Sequence, residues 1–176
     1  MKPPFVILKE VLQKRGMSMS IQIQVKLDLK SLGRFLIYHY YTQVSGIISV
    51  IISAAALAGL ILRWSQWPLM QKGILIVLAL MFTVLQPVML VWRGNKQLQS
   101  EEFQEPFHYV FDDNGVTISQ KRDMQQFTWE DVRKIRYRKD AMYVYMSTVS
   151  AFVIPSEQCD GQFEKLVQLS KEKKAK

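Results

Sequence analysis

Residues 44–62 read VSGIISVIISAAALAGLIL, nineteen positions without a charged side chain. A second stretch of the same kind, GILIVLALMFTVLQPVMLVW, occupies residues 73–92. As helices that rise ~1.5 Å per residue, both reach ~30 Å, the thickness of the hydrocarbon core of a bilayer. The remaining sequence is mostly amphipathic strand and polar loop, too little to bury such a hairpin in a soluble core. The two stretches therefore predict a transmembrane helical hairpin.

The basic residues predict how this hairpin is oriented. Seven of the 23 Lys and Arg residues precede Val44, two lie in the connection, and fourteen follow from Arg93 onward. Lys and Arg concentrate on the cytoplasmic side of membrane proteins. Tryptophans at 64, 67 and 92 lie at the ends of the stretches, where indole rings favour the headgroup level. We therefore expect a multi-pass protein of the plasma membrane with both termini in the cytoplasm.

The formal charge of +8 has an uneven distribution along the chain. The balance is +5 up to Gln43, +3 from Val44 to Arg93, and zero from Gly94 to the end, where thirteen residues of each sign occur. The excess lies beside the predicted membrane helices, where it sets topology and attracts anionic lipid. We do not expect a nucleic-acid partner.

Residues 20–30 alternate strictly, with apolar side chains at Ile21, Ile23, Val25, Leu27 and Leu29. This pattern predicts a half-buried β-strand, which needs partner strands with an apolar face. Two membrane crossings return the chain to the same side. We therefore expect the strand to join a sheet formed by the C-terminal region.

The flanking segments are assigned as follows. Residues 1–19 are an N-terminal extension and a candidate for disorder, and the sequence leaves open whether translation starts at Met1, Met17 or Met19. Residues 31–43 form an amphipathic pre-membrane helix that either lies in the interface plane or continues into the first membrane helix. We favour the continuous helix.

One face of the first membrane helix carries small residues, Gly46, Ser49, Ser53 and Ala56. Small side chains let two helices approach closely. Packing against the second helix is the expected use of this face, and homo-oligomerisation is the alternative. In the second helix, Pro87 frees a backbone carbonyl and bends the helix, and the Gln86 amide beside it is one group that can satisfy the carbonyl.

The C-terminal region predicts a small β-domain closed by a helix. Residues 94–106 read as a polar linker, and residues 107–176 contain a hairpin, further alternating segments ended by Pro155, and a helical pattern from Asp160. Meandering strands followed by one amphipathic helix predict a small antiparallel sheet or barrel plugged by that helix. The fold class is α+β, with the membrane hairpin inserted after the first strand.

Four short motifs stand out in this region: Gly115-Val116-Thr117-Ile118, Thr128-Trp129-Glu130-Asp131-Val132, Tyr143-Val144-Tyr145 and Phe152-Val153-Ile154-Pro155. They resemble the YcxB-like C-terminal domain of bacterial membrane proteins. The resemblance implies a pleckstrin-homology-like β-domain on a two-helix anchor in a bacterial plasma membrane, and it supplies no catalytic residues. Ser156 stands where the family often has a basic residue, which argues against anion binding at that corner.

The residues that carry catalysis or bind metals are scattered in this sequence. The two histidines, His39 and His108, lie in different segments, Cys159 is the single cysteine, and the glycines form no phosphate-binding loop. Trp129 is expected to anchor the core of the sheet. We therefore expect a non-enzymatic protein without cofactor or metal.

The sharpest candidate for binding is a basic row, Arg133, Lys134, Arg136, Arg138 and Lys139. On a strand, the side chains at 134, 136 and 138 share one face, while those at 135 and 137 point to the core. The row suits anionic headgroups, and it equally suits an edge strand whose charges discourage aggregation. The expected function is a membrane-anchored adaptor that binds a protein partner, and the alternative is a sensor of anionic lipid headgroups.

Overall fold

The computed structural model describes residues 20–121 and 123–174, so the prediction for residues 1–19 lies outside the described residues. The chain divides into two compact units. One, the β unit, combines residues 20–31 with the described residues from Gln99 onward, and the other, the helical unit, spans Leu32–Leu98.

The β unit contains two antiparallel sheets. Four strands form the first in the order β1-β2-β3-β4, and three form the second in the order β5-β6-β7. The strands are β1 (Ile21–Val25), β2 (Phe107–Phe111), β3 (Gly115–Gln120), β4 (Asp123–Thr128), β5 (Lys134–Tyr137), β6 (Ala141–Tyr145) and β7 (Ala151–Pro155). Helix α6, Phe163–Lys174, follows them. The predicted mixed α+β fold, with antiparallel sheets and a C-terminal helix, is confirmed at this level.

Strand β1 pairs antiparallel with β2, although the whole helical unit lies between the two strands in the sequence. Ile23 is opposite Tyr109, and Val25 is opposite Phe107. The strand covers five residues, so its predicted extension to residue 30 is wrong. The chain becomes helical at Leu29 because an Asp28 carboxylate oxygen accepts a hydrogen bond from the Ser31 N–H at 3.1 Å, in the manner of an N-cap.

Both sheets and α6 share one hydrophobic core. Val25, Phe111, Met142, Ile154 and Leu166 are fully buried in it, one from each of β1, β2, β6, β7 and α6. The C-terminal end of α6 is tied down by polar contacts as well. Lys173 lies 2.8 Å from the Asp113 carboxylate, and the Lys174 ammonium donates to the Trp129 carbonyl at 3.0 Å. The residues before and after the helical unit therefore form one folding unit.

The helical unit begins within α1, Leu29–Tyr41, and continues with α2, Val44–Leu62, which has the predicted bounds. The second long helix runs from Leu69 to Leu98, beyond the predicted 73–92. It consists of α3 (Leu69–Leu80), a π-helical segment (Met81–Leu85) and α4 (Gln86–Leu98). By length and composition, Val44–Leu62 and Leu69–Leu98 are sufficient to cross a membrane. The predicted linker is shortened, because its first five residues are helical and Glu101–Gln104 form the one-turn helix α5.

The predicted continuous helix through residues 31–62 is wrong, because the chain breaks between α1 and α2. The Thr42 hydroxyl donates to the Tyr38 carbonyl at 2.8 Å, and Gln43 is extended at φ −88° and ψ 160°. Side-chain hydrogen bonds of this kind compete with helical ones. At this corner the backbone of Tyr40 approaches Gly46 so closely that a Cβ there would lie 2.1 Å from the Tyr40 carbonyl oxygen.

This corner makes Gly46 the sensitive glycine of α2. We expect Gly46→Ala to destabilise the helical unit by about 1–3 kcal/mol, since a backbone carbonyl cannot move aside as a side chain can. Gly59→Ala is the matched control, because nothing lies within 4 Å of a Cβ at that position. SDS titration of the full chain in mixed micelles, followed by circular dichroism, measures both. Equal loss of stability in the two variants would contradict the close approach at Gly46.

The small residues of α2 pack inside the helical unit. Gly46, Ser49, Ser53 and Ala56 are its buried residues, and the Ser53 hydroxyl lies 3.4 Å from the Ala79 carbonyl oxygen of α3. The expected packing against the second long helix is thus observed at Ser53, whereas Gly46 and Ser49 lie against Tyr40 of α1.

The π-helical segment accommodates Pro87. The Gln86 N–H donates to the Met81 carbonyl five residues earlier. The next bond of this π-helical pattern would run from residue 87 to the Phe82 carbonyl, but Pro87 has no N–H to donate. The Tyr41 hydroxyl donates to the Phe82 carbonyl at 3.0 Å instead. A tyrosine from α1 thus supplies the missing donor.

Candidate binding surface

The basic row lies on β5, an edge strand of the three-stranded sheet. Lys134 and Arg136 are exposed, whereas Ile135 and Tyr137 are half-buried and pack against the core. The other three members, Arg133, Arg138 and Lys139, are exposed just before and just after the strand. The structure therefore brings all five predicted residues to one edge of the β unit, with the charges outward.

Two tyrosines beside this row were not singled out as site residues from the sequence. Lys134 and Arg136 lie opposite Tyr145 and Tyr143 of β6, and both tyrosines are buried, at 6% and 2% exposure. The Lys134 ammonium is 5.3 Å from the centroid of the Tyr145 ring, within the range of a cation–π contact. The alternation in Tyr143-Val144-Tyr145 is the signal that could have found them, because Val144 belongs to the core and its neighbours must face away.

Four of the five residues in the row carry positive charge that nearby carboxylates do not neutralise. Among residues 20–121 and 123–174, no ion pair within 4 Å forms with Arg133, Lys134, Arg136 or Lys139. Since residues 94–176 contain equal numbers of basic and acidic residues, the row is a local positive surface in a neutral segment. Such a surface attracts anionic groups at short range.

The turn that follows the row is connected to the point where the chain leaves β1. Ser156 donates to the Asp140 carbonyl through its N–H and its hydroxyl, at 2.9 and 3.1 Å. Two residues later, the Gln158 amide accepts from the Lys26 N–H at 2.7 Å and donates to the Lys26 carbonyl at 2.9 Å. Ser156, the departure from the family pattern, thus holds the turn through hydrogen bonds.

Trp129 occupies the position of a core residue. Its indole N–H donates to the Asp112 carbonyl at 2.9 Å, and its ring centroid lies 6.4 Å from that of Phe111. Its side chain is buried within the core cluster. The Asp112 carboxylate next to it accepts from the N–H groups of Asn114 and Gly115, at 2.7 and 3.0 Å, and so shapes the β2–β3 turn.

The remaining polar candidates lie apart from one another. His39 contacts Gln43 through nitrogens 2.6 Å apart, and His108 is half-buried on β2. Glu105, just before β2, forms an ion pair with Lys121, with the charged atoms 3.7 Å apart. Within the described part of the chain, no group of three or more His, Cys, Asp or Glu residues is placed to hold a metal ion.

Cys159 is fully buried, with its thiol 3.2 Å from the Pro155 carbonyl oxygen. Burial, followed by the nearby Asp160 carboxylate, raises the pKa of the thiol to about 11. Because the thiolate is the reactive form, we expect maleimide at pH 8 to label the folded chain at least about a hundredfold more slowly than the unfolded chain. Mass spectrometry after timed labelling measures this ratio. Comparable rates in the two states would show that the thiol is accessible.

The fold and this surface define a class: a small α+β domain with two antiparallel sheets and a C-terminal helix, in a chain with two helices of membrane-spanning length. Residues 111–170 match the family model for YcxB-like protein, a span that runs from the end of β2 into α6. This part of the chain is similar to the YcxB-like family, which confirms the predicted resemblance over these residues. A search of curated proteins found no match.

Proposed function

We propose that the chain is a non-enzymatic adaptor of a bacterial plasma membrane, whose cytoplasmic YcxB-like domain binds a protein partner. Both long helices cross the bilayer in this proposal, and both termini are cytoplasmic. Strand β1 precedes the two long helices, β2 follows them, and the two strands pair. Paired strands lie on the same side of the membrane, so this pairing supports an even number of crossings. The excess of Lys and Arg outside the helical connection supports the orientation.

The β unit is, in this proposal, pleckstrin-homology-like. A four-stranded and a three-stranded antiparallel sheet that share one core with a C-terminal helix support this assignment. The membrane hairpin then occupies the connection between the first two strands. Because β1 lies in the core of the domain, the hairpin holds the domain at the membrane through two covalent links.

The observation that carries the binding role is the exposed basic edge at β5, where Lys134 and Arg136 form no ion pair with another described residue. Arginine is enriched in protein interfaces, and Arg136 is exposed on this strand. A photo-crosslinking amino acid at Lys139 tests the role in native membranes, with the probe at Lys165 on α6 as the control. We expect a discrete larger adduct from position 139, lost in the Lys134→Glu/Arg136→Glu background. No adduct from position 139, or the same adduct from both positions, would contradict the proposal.

A second candidate function is the sensing of anionic lipid headgroups by the same row. The bonds from Ser156 to Asp140 and from Gln158 to Lys26 favour it, because together they link the turn after the row to the segment that precedes the membrane helices in the sequence. Each basic side chain near an anionic surface contributes ~1 kcal/mol. A fluorophore on Lys139→Cys, in a Cys159→Ser chain in nanodiscs with spin-labelled lipid, tests this function. Quenching that rises with the anionic fraction supports it, and equal quenching at physiological salt excludes it.

A further inference from the structure

We infer that β5 accepts an acidic, extended segment of the partner protein as a fourth strand of the β5-β6-β7 sheet. This inference rests on the proposed binding role and specifies the chemistry of the partner. It follows from three features of the edge: its position in the sheet, its charge pattern and its apolar residues.

The position of β5 leaves one of its edges open. In the described residues, β5 pairs only with β6, through the four pairs from Lys134–Tyr145 to Tyr137–Met142. An edge strand presents N–H and C=O groups that an extended peptide can join by main-chain hydrogen bonds. Strand addition therefore needs no rearrangement of the sheet.

The charge pattern selects the side chains of the added strand. Residues directly opposite each other in neighbouring antiparallel strands have Cβ atoms ~4.5–5.5 Å apart, and those that share a face alternate. Lys134 and Arg136 are two residues apart on one face, and Arg138 continues the same spacing. An added strand therefore fits this face best with Asp or Glu at every second position.

The intervening positions require apolar side chains. Ile135 and Tyr137 are half-buried and pack against the core from the edge of the sheet. An apolar residue beside each would extend that core and remove apolar surface from water. At the end of the strand, the Lys171 ammonium lies 5.2 Å from the Tyr137 ring centroid and adds one more positive charge. The preferred segment thus alternates acidic and apolar residues.

The same charges restrict which strands can add. A second copy of β5 would place lysine and arginine against each other, and like charges directly opposite are destabilising. The row thus discourages self-association and selects an acidic partner with the same residues. The edge strand β4 is also exposed, but its single charged residue, Asp123, stands at the start of the strand and forms no row that would select a partner.

A labelled peptide, Glu-Val-Glu-Val-Glu, tests this inference by fluorescence anisotropy with the full chain in nanodiscs of neutral lipid. We expect Lys134→Glu/Arg136→Glu to weaken binding by about tenfold or more, and Lys165→Glu by less than about twofold. The matching peptide Lys-Val-Lys-Val-Lys should bind the double variant better than the wild-type chain. This charge swap keeps the test valid even if the variant is less stable, because it measures a gain of binding.

Backbone pairing needs its own measurement, since charge alone could hold the acidic peptide. N-methylation of alternate peptide bonds removes donors on one edge of the peptide and should lower its affinity by about tenfold. Equal affinity of the methylated and unmethylated peptides would overturn strand addition. The absence of peptide binding would also overturn strand addition, whether or not nanodiscs of anionic lipid bind the row. If the crosslinked adduct at position 139 persists in that case, the adaptor role stands and only the acidic-strand partner is wrong.

Discussion

Val25→Asp is expected to unfold the β unit, although this residue precedes both long helices. Val25 has no exposed surface and lies in the core shared by the two sheets and α6. A carboxylate without a partner in such a place costs more than about 4 kcal/mol, a large part of the stability of a small domain. Limited proteolysis of the full chain in membranes should show rapid cleavage within residues 107–176.

The neighbouring residue provides the control for this experiment. Gln24 is exposed on β1, so Gln24→Asp introduces the same carboxylate next to Val25 but outside the core. We expect this variant to resist protease as the unmodified chain does. If Val25→Asp were equally resistant, β1 would not contribute to the core of the β unit.

Trp129→Ala is expected to cost about 3–5 kcal/mol in the free energy of unfolding. The indole fills space beside Phe111, and its N–H bonds to the Asp112 carbonyl. Trp129→Phe retains most of the apolar bulk and removes the donor, so a smaller loss of about 1–3 kcal/mol is expected. Urea unfolding of the full chain in micelles, monitored by protease resistance, separates the two variants.

A surface variant completes this series. Met124 on β4 is 40% exposed, and Met124→Ala should change stability by less than about 1 kcal/mol. Small and equal losses for all three variants would place Trp129 outside the core.

The alternation in β1 and β5 was predictable because it reflects burial on one side. The end of β1 was not predictable, because Leu27 and Leu29 continue the apolar alternation while Asp28 caps a helix. A local hydrogen bond to a backbone N–H outweighed a weak pattern of side chains. Pattern alone cannot show where a cap interrupts it.

The break before α2 was missed for a related reason. The apolar pattern continues through residues 31–62, but the Thr42 hydroxyl bonds the backbone and Tyr40 approaches Gly46 closely. The sequence indicated Gly46 only as a small packing residue. Its role at the corner depends on a contact with the Tyr40 backbone, which residue spacing does not predict. The sequence predicted that Pro87 frees a backbone carbonyl, but the Tyr41 hydroxyl that bonds the Phe82 carbonyl comes from a helix more than forty residues away.

The candidate surface was predictable in part. Spacing alone indicated that Lys134 and Arg136 face outward, since strand residues alternate. Their tyrosine neighbours depend on the register between β5 and β6. The Gln158 contact with Lys26 joins residues 132 positions apart, and neither sequence pattern nor family resemblance indicates such a pair.

The most direct test of the account is a disulfide between β1 and β2, formed by Gln24→Cys and His108→Cys in a Cys159→Ser chain. These residues are partners in adjacent strands on either side of the two long helices, so their Cα atoms are close enough for a disulfide. Thr117→Cys with Gln126→Cys, partners in β3 and β4, serves as the control pair. Mild oxidation of isolated membranes followed by electrophoresis should show an intramolecular crosslink for both pairs. A crosslink in the control pair alone would contradict a β-domain divided by a helical hairpin.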